Sequence, residues 1–187
     1  NQIVHLRNVE EADYDRMAQN GIIASCGVLW HRFYPESVVK ANLAYLTSIM
    51  AEKYWYEGYP YQSFINHKVH TSISTDAPAS SGSPVDPFGI MEIAATGTQN
   101  FLDQSYTTPW DTKECIENRA DFLRSLTIEG AYQMGSEKTR GSIAVGKYAD
   151  FILIDKNVLT CDAYELHETK VLKTFFEGKC VYDMNTL

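Results

Sequence analysis

Short apolar runs alternate with segments of helical spacing along the first part of the chain. Residues 2–6 and 22–28 are typical of buried strands, and the intervening residues 9–20 carry apolar side chains at helical intervals. Asn8 is placed to cap this helix and Gly21 to end it. A strand, a helix and a second strand with short connections predict a parallel crossover unit.

A third strand is predicted over residues 69–76, which are rich in β-branched side chains and end at Asp76, two positions before Pro78. Aromatic residues cluster before it, and two interpretations stay open: core packing or the wall of an apolar substrate pocket. The cluster consists of Tyr54, Trp55, Tyr56, Tyr59 and Tyr61. Helices are predicted over residues 37–50, 61–66, 87–99, 112–125 and 127–134.

The pattern changes after Gly135. Residues 141–147 are rich in turn formers, and residues 149–155 are strand-like. Two further apolar runs flank Glu177-Gly178-Lys179, which predicts a β-hairpin. We therefore expect two domains: an α/β region over residues 1–135 and a small β unit over residues 136–187.

Composition narrows the class of protein. The 187 residues are 44% hydrophobic, and 16 basic against 24 acidic residues give a net charge of −8 without a basic cluster, so we expect no nucleic-acid partner. No apolar run approaches the roughly 20 residues of a membrane helix, and no signal peptide is visible. The four cysteines form no C-x-x-C pair and are expected to be reduced thiols of a cytoplasmic protein. Because the chain starts at Asn1 in a strand-like run, we expect it to be a piece of a longer protein.

Candidate chemistry lies where the predicted strands end. His5 closes the first strand, His31 follows the second, and Asp76 ends the third. In a parallel barrel, side chains at the carboxyl ends of the strands meet at one mouth. Imidazole suits zinc, and a carboxylate beside a metal can take a proton from bound water. The alternative for Asp76 is a turn cap, since aspartate often bonds nearby backbone N–H groups.

The other histidines are weaker candidates. His67 and His70 stand three apart and are expected to point to opposite faces of a strand, so they form no chelating pair there. His167 lies between acidic residues in the β unit and is expected to be exposed. The motifs H-x-H, H-E-x-x-H and G-x-S-x-G do not occur.

Taken together, these segments resemble the C-terminal part of an amidohydrolase of family 3. Ile3-Val4-His5-Leu6 is similar to the family's sixth barrel strand, and Ser74-Thr75-Asp76-Ala77-Pro78 to the aspartate motif of its eighth. Gly146-Lys147 followed by Ala149-Asp150-Phe151 resembles the segment that re-enters the family's small β-sandwich, and residues 173–179 resemble its closing hairpin.

The resemblance implies an α/β fold: the C-terminal portion of a TIM-like (β/α)₈ barrel with part of an appended β-sandwich. It implies a metal-dependent hydrolase of amide, N-acyl or N-formyl C–N bonds in small molecules. His5 would be a metal ligand, and Asp76 both a metal ligand and the catalytic base. The divalent metal would be zinc in the parent protein and weak or absent here, because the family's other ligands come from earlier strands. The chain alone should therefore be inactive.

Two other hypotheses remain at this point. The chain could be a non-catalytic binding or assembly module of similar fold. It could also be a stand-alone hydrolase whose site is completed between subunits by His31 or His70. In each case the partial barrel leaves a sheet edge open, so we expect self-association into a homo-oligomer.

Overall fold

The computed structural model describes residues 1–28, 48, 59–76, 86–98 and 114–186. Its first sheet is parallel and has three strands in the order β1-β2-β3. Gln2 is opposite Ile23, and Ile23 is opposite His70. The carboxyl ends of all three strands therefore share one edge of the sheet. The strands are β1 (Gln2–Val4), β2 (Ile23–Cys26) and β3 (His70–Ile73).

The predicted crossover unit is confirmed, with a shorter helix than expected. Helix α1 (Tyr14–Gln19) connects β1 to β2 and follows a 3-10 turn at Glu11–Asp13. Because this turn precedes the helix, Asn8 is not at the N-cap. Gly21 has a φ of 59°, which a glycine adopts at little cost at a helix end.

The expectation that the first strand is buried is wrong. All four residues of β2 are buried, whereas Ile3 and Val4 of β1 are 44% and 52% exposed. The reason is that β1 pairs with β2 along one edge, and none of the described residues pairs with its other edge.

In the part of the chain that the structure describes, one helix lies between β2 and β3 and three lie between β3 and β4, and side-chain caps fix the starts of two of them. Asp86 accepts hydrogen bonds from Phe88 N (3.1 Å) and Gly89 N (3.0 Å), which fixes the start of α3. Helix α4 starts well after the predicted residue 112, because Asn118 caps it by accepting from Ala120 N (3.0 Å). The predicted helix at residues 37–50 lies outside the described residues, apart from Ser48. The helices are α2 (Tyr61–Asn66), α3 (Pro87–Thr96), α4 (Arg119–Leu126) and α5 (Ile128–Gln133).

The second sheet is antiparallel, with the strand order β4-β5-β6. Its hairpin lies where it was predicted, and Glu177 and Gly178 have φ values of 49° and 79°, as a tight two-residue turn requires. The strands are β4 (Phe151–Ile154), β5 (Val171–Phe176) and β6 (Lys179–Asp183).

A 3-10 helix at Ala163–Glu168, between β4 and β5, packs against α3. Its Leu166 is fully buried in the same apolar cluster as Ile90, Ile93 and Phe122. This packing joins the segment after β4 to the helices around the parallel sheet. The boundary between residues 135 and 136 stays a prediction.

The described part of the chain contains no helix with the length and hydropathy needed to cross a membrane. The four cysteines are free thiols, and burial raises the pKa of Cys26 on β2 to about 12.

Candidate active site

His5 and Asp76 lie together at the carboxyl edge of the parallel sheet. His5 directly follows β1, and Asp76 comes three residues after β3, so the two flank the end of the middle strand. Their side chains meet across that end, with His5 Nε2 3.7 Å from Asp76 Oδ1. The structure thus brings together the two residues that the sequence nominated.

Backbone hydrogen bonds to β2 hold the segments that contain His5 and Asp76 at this edge. His5 N donates to Ser25 O (3.2 Å), and Ser74 N donates to Cys26 O (2.8 Å). Beyond these bonds the backbone turns, since His5 and Asp76 have φ values of 60° and 53°. A left-handed conformation costs most residues other than glycine roughly 1–2 kcal/mol, although aspartate adopts it more readily than most, and such strain is concentrated at functional sites.

Both side chains can be reached from solvent. The His5 side chain is 54% exposed and that of Asp76 is 27% exposed. A carboxylate in this setting keeps part of its hydration and can act on a water molecule or a bound substrate. The geometry therefore allows Asp76 to move a proton at this edge.

Arg7 and Tyr59 form a contact that the sequence did not predict. The Arg7 guanidinium carbon lies 5.6 Å from the centre of the Tyr59 ring, and Tyr59 N donates to Arg7 O (2.7 Å). Burial lowers the pKa of Arg7 below its ordinary value, while Tyr59 acts in the opposite direction. In the sequence, the contact between Arg7 and Tyr59 is indicated only by the position of Arg7, two residues after His5.

The other histidines lie elsewhere. His70 begins β3 at the opposite edge, where its Nδ1 is 2.7 Å from Glu129 Oε2, so it does not join Asp76. His67 follows α2 and is not part of the strand, which corrects the expectation about opposite strand faces; its Nδ1 is 2.8 Å from Asp15 Oδ1. His31 lies outside the described residues.

The expectation that His167 is exposed is wrong. It sits on the 3-10 helix against α3, half-buried, with its Nδ1 2.7 Å from Oε2 of the fully buried Glu92. Sequence proximity to Glu165 and Glu168 suggested solvent, but the partner comes from a helix 75 positions away.

His5 and Asp76 fit a metal ion only in part. Both offer donor atoms that zinc accepts, and they face the same point of the sheet edge. A catalytic zinc typically needs about three protein ligands. Within the described ranges, no group of three histidine, cysteine, aspartate or glutamate side chains could hold a metal. The described residues therefore offer two possible donors, fewer than such a site typically needs.

Comparison with known proteins shows which family the chain belongs to. Residues 2–182 match the sequence model of the Amidohydrolase family, which covers nearly the whole chain. The chain belongs to the amidohydrolase family. This match confirms the resemblance found in the strand-end motifs.

Two curated relatives act on different compounds. The chain is 28% identical over 125 residues to an N-substituted formamide deformylase of Arthrobacter pascens, a match that covers 67% of this chain and 21% of that protein. It is 25% identical over 133 residues to a 5-methylthioadenosine/S-adenosylhomocysteine deaminase of Caldanaerobacter subterraneus, which covers 66% of this chain and 28% of that protein. The chain therefore spans about a quarter of the length of these relatives.

A solved structure shares the mixed α/β fold. The crystal structure of an adenosine deaminase from Xanthomonas campestris with bound zinc superposes with a TM-score of 0.60 at 24% identity. The superposition covers 100% of this chain and 38% of that protein. At this identity the likeness concerns the fold alone.

Proposed function

We propose that the complete protein is a metal-dependent hydrolase of C–N bonds in small amide-type molecules, including N-acyl or N-formyl compounds. This chain would supply the last strands of a TIM-like (β/α)₈ barrel over residues 1–135 and part of a β-sandwich over residues 136–187. The observation that carries the proposal is the 3.7 Å approach of His5 Nε2 to Asp76 Oδ1 at the carboxyl edge of a parallel sheet. The family match and the named activities of the relatives support it.

Asp76 and His5 have different roles in this proposal. Asp76 accepts a proton from the attacking water and passes it to the leaving nitrogen, because its carboxylate is accessible and held at the sheet edge. His5 and Asp76 would both hold the metal, His5 through an imidazole nitrogen and Asp76 through its carboxylate. A divalent metal, most simply zinc, would polarise the water when it is bound.

The chain by itself should be inactive and bind zinc weakly. The described residues contribute His5 and Asp76, which leaves the donor set incomplete. A measurable hydrolytic rate, or tight equimolar zinc, in the protein of the printed sequence would refute this part of the proposal.

The proposal is tested in the complete protein with Asp76→Asn, which keeps the size of the side chain and removes the base. Loss of a general base lowers kcat by about 10²–10⁴-fold. Asp183→Asn, on the antiparallel sheet, is the matched control and should leave kcat unchanged. An Asp76→Asn protein that keeps full kcat, with an unchanged circular dichroism spectrum, would overturn the assignment.

A second candidate is a non-catalytic binding or assembly module of this fold. It is favoured by one observation, the lack of a three-donor metal group among the described residues. The two candidates separate in the complete protein, where stoichiometric zinc that is lost in His5→Ala supports the enzyme.

A further inference from the structure

A cavity of about 350 Å³ opens at the amino end of β3, at the edge of the sheet opposite to His5 and Asp76. Its volume lies within the range of pockets that hold small molecules. The wall contains both cationic and anionic side chains and two buried hydroxyl residues, Thr71 and Ser125. Thr71 uses its hydroxyl proton on Val69 O (2.9 Å), and the other polar residues that line the cavity are Lys68, His70, Asp121, Arg124, Ser125 and Glu129.

Glu129 organises one side of this cavity. Its Oε2 lies 2.7 Å from His70 Nδ1, and its Oε1 accepts from Arg124 Nη2 (3.4 Å). Tyr132 stacks on the His70 ring with 4.0 Å between the ring centres. Both oxygens of Glu129 are therefore occupied, and the carboxylate serves to hold two donors on the wall.

The other donors on the cavity wall can form further hydrogen bonds. Lys68 forms no side-chain hydrogen bond or ion pair with any described residue, and Arg124 uses one of its two terminal nitrogens. The Ser125 hydroxyl is buried and accepts from Tyr61 Oη (3.2 Å), so its own proton is left to donate. On the same wall, the Asp121 carboxylate forms no hydrogen bond or ion pair with any described residue.

We propose that this cavity binds a small organic molecule that carries an oxyanion, either a carboxylate or a phosphate, together with an amine. The oxyanion contacts Lys68 and Arg124, because charge-assisted bonds from ammonium and guanidinium groups to oxyanions are among the strongest polar contacts. The amine contacts Asp121. The charges of the cavity also favour a zwitterion, since Lys68 and Arg124 balance Asp121 and Glu129.

Four probes test the proposal by calorimetric titration of the protein: inorganic phosphate, phosphoethanolamine, propionate and β-alanine. We expect either phosphoethanolamine to bind more tightly than inorganic phosphate, or β-alanine to bind more tightly than propionate. The first result would identify the oxyanion as a phosphate, and the second would identify it as a carboxylate. Lys68→Gln should weaken that binding at least tenfold. Lys138→Gln, in an exposed turn away from the cavity, is the matched control and should change nothing.

The variant Asp121→Asn tests the contact with the amine separately from the contacts with the oxyanion. It should abolish the preference for the amine-bearing probe, while the simple anion binds as well or more tightly because a negative charge is removed. Circular dichroism checks the fold of each variant, and Arg124→Gln replaces Lys68→Gln should the latter fail to fold.

Three results would overturn the proposal. The first is that no probe binds at about 10 mM, where even a millimolar dissociation constant gives near saturation. The second is an equal effect of Lys68→Gln and Lys138→Gln. The third is loss of binding in His5→Ala or Asp76→Asn, which would place the anion at the other edge of the sheet.

Discussion

Glu92 and His167 form a carboxylate–histidine pair with a fully buried carboxylate, whereas the carboxylate of the His5–Asp76 pair is partly exposed. Glu92 is 0% exposed, and its Oε2 accepts from both the backbone N (3.0 Å) and Nδ1 (2.7 Å) of His167. The surface pair is separated by 3.7 Å, and both of its side chains contact solvent.

The backbones of the two pairs differ as well. Glu92 belongs to α3 and His167 to a 3-10 helix, both regular conformations. His5 and Asp76 both have positive φ values. The Glu92–His167 pair is short, has a fully buried carboxylate and is carried by regular backbone. The loose, accessible and strained pair is the one that a reaction can use.

The largest effect is expected from His167→Ala. This variant leaves the buried Glu92 carboxylate with the backbone donor alone, and Glu92 Oε1 already forms no hydrogen bond with any described residue. Removing one partner of a buried pair costs about 3 kcal/mol or more. The free energy of unfolding, measured with denaturant, should fall by this amount. His5→Ala is the control at the surface pair, and an equal loss there would erase the distinction.

When each carboxylate is replaced by an amide of the same size, the two pairs should differ less in the free energy of unfolding. Glu92→Gln keeps an acceptor for His167 but exchanges charge-assisted bonds for neutral ones, at a cost of about 1–1.5 kcal/mol. Asp76→Asn should change the free energy of unfolding by less than about 0.5 kcal/mol, because exposed ion pairs contribute little. Similar losses in denaturant titrations of the two variants would contradict this ranking.

Relative to alanine, glycine should raise the stability of the protein at Asp76 and lower it at His167. Asp76→Gly and Asp76→Ala both remove the carboxylate, but glycine fits the left-handed backbone and should be more stable by about 1 kcal/mol. His167→Gly should instead be less stable than His167→Ala by about 0.5–1 kcal/mol, since its backbone is helical. Thermal unfolding of the four variants provides the measurement. If Asp76→Gly is no more stable than Asp76→Ala, the backbone at Asp76 is not strained.

The sequence predicted the elements whose signals are local. Helix α2 and the hairpin at Glu177 and Gly178 lie where they were predicted, because helix and turn signals act within a few residues. His5 and Asp76 could be paired from the sequence because parallel strands place their carboxyl ends at one edge. That argument needs the order of the strands, but not their detailed packing.

What the sequence missed depends on contacts between distant segments. Glu92 and His167 are 75 positions apart, and neither position carries a pattern that points to the other. The exposure of β1 was missed because a run such as Ile3-Val4 looks the same whether or not a second neighbour covers it. The late start of α4 is an exception, because Asn118 caps this helix through a local contact with the N–H of Ala120.

The smallest effect is expected at a third pair, Lys173 and Asp183, which are opposite each other on β5 and β6 with Nζ 2.7 Å from Oδ2. The hydrogen bond between them raises the pKa of Lys173 and lowers that of Asp183. The lowered pKa of Asp183 means that its contribution to stability is present at neutral pH and is lost as the pH falls through the folded-state pKa. The raised pKa of Lys173 means that the contribution is also lost as the pH rises through its folded-state value.

Lys173→Met should therefore reduce stability slightly at neutral pH and leave it unchanged in strong acid, where Asp183 is protonated in wild type and variant alike. Denaturant titrations of both proteins across acidic pH measure the difference. Because this pair lies at the surface on regular strands, its loss should be smaller than that of His167→Ala. A loss as large as that of His167→Ala would show that burial is not what separates the structural pair from the accessible one.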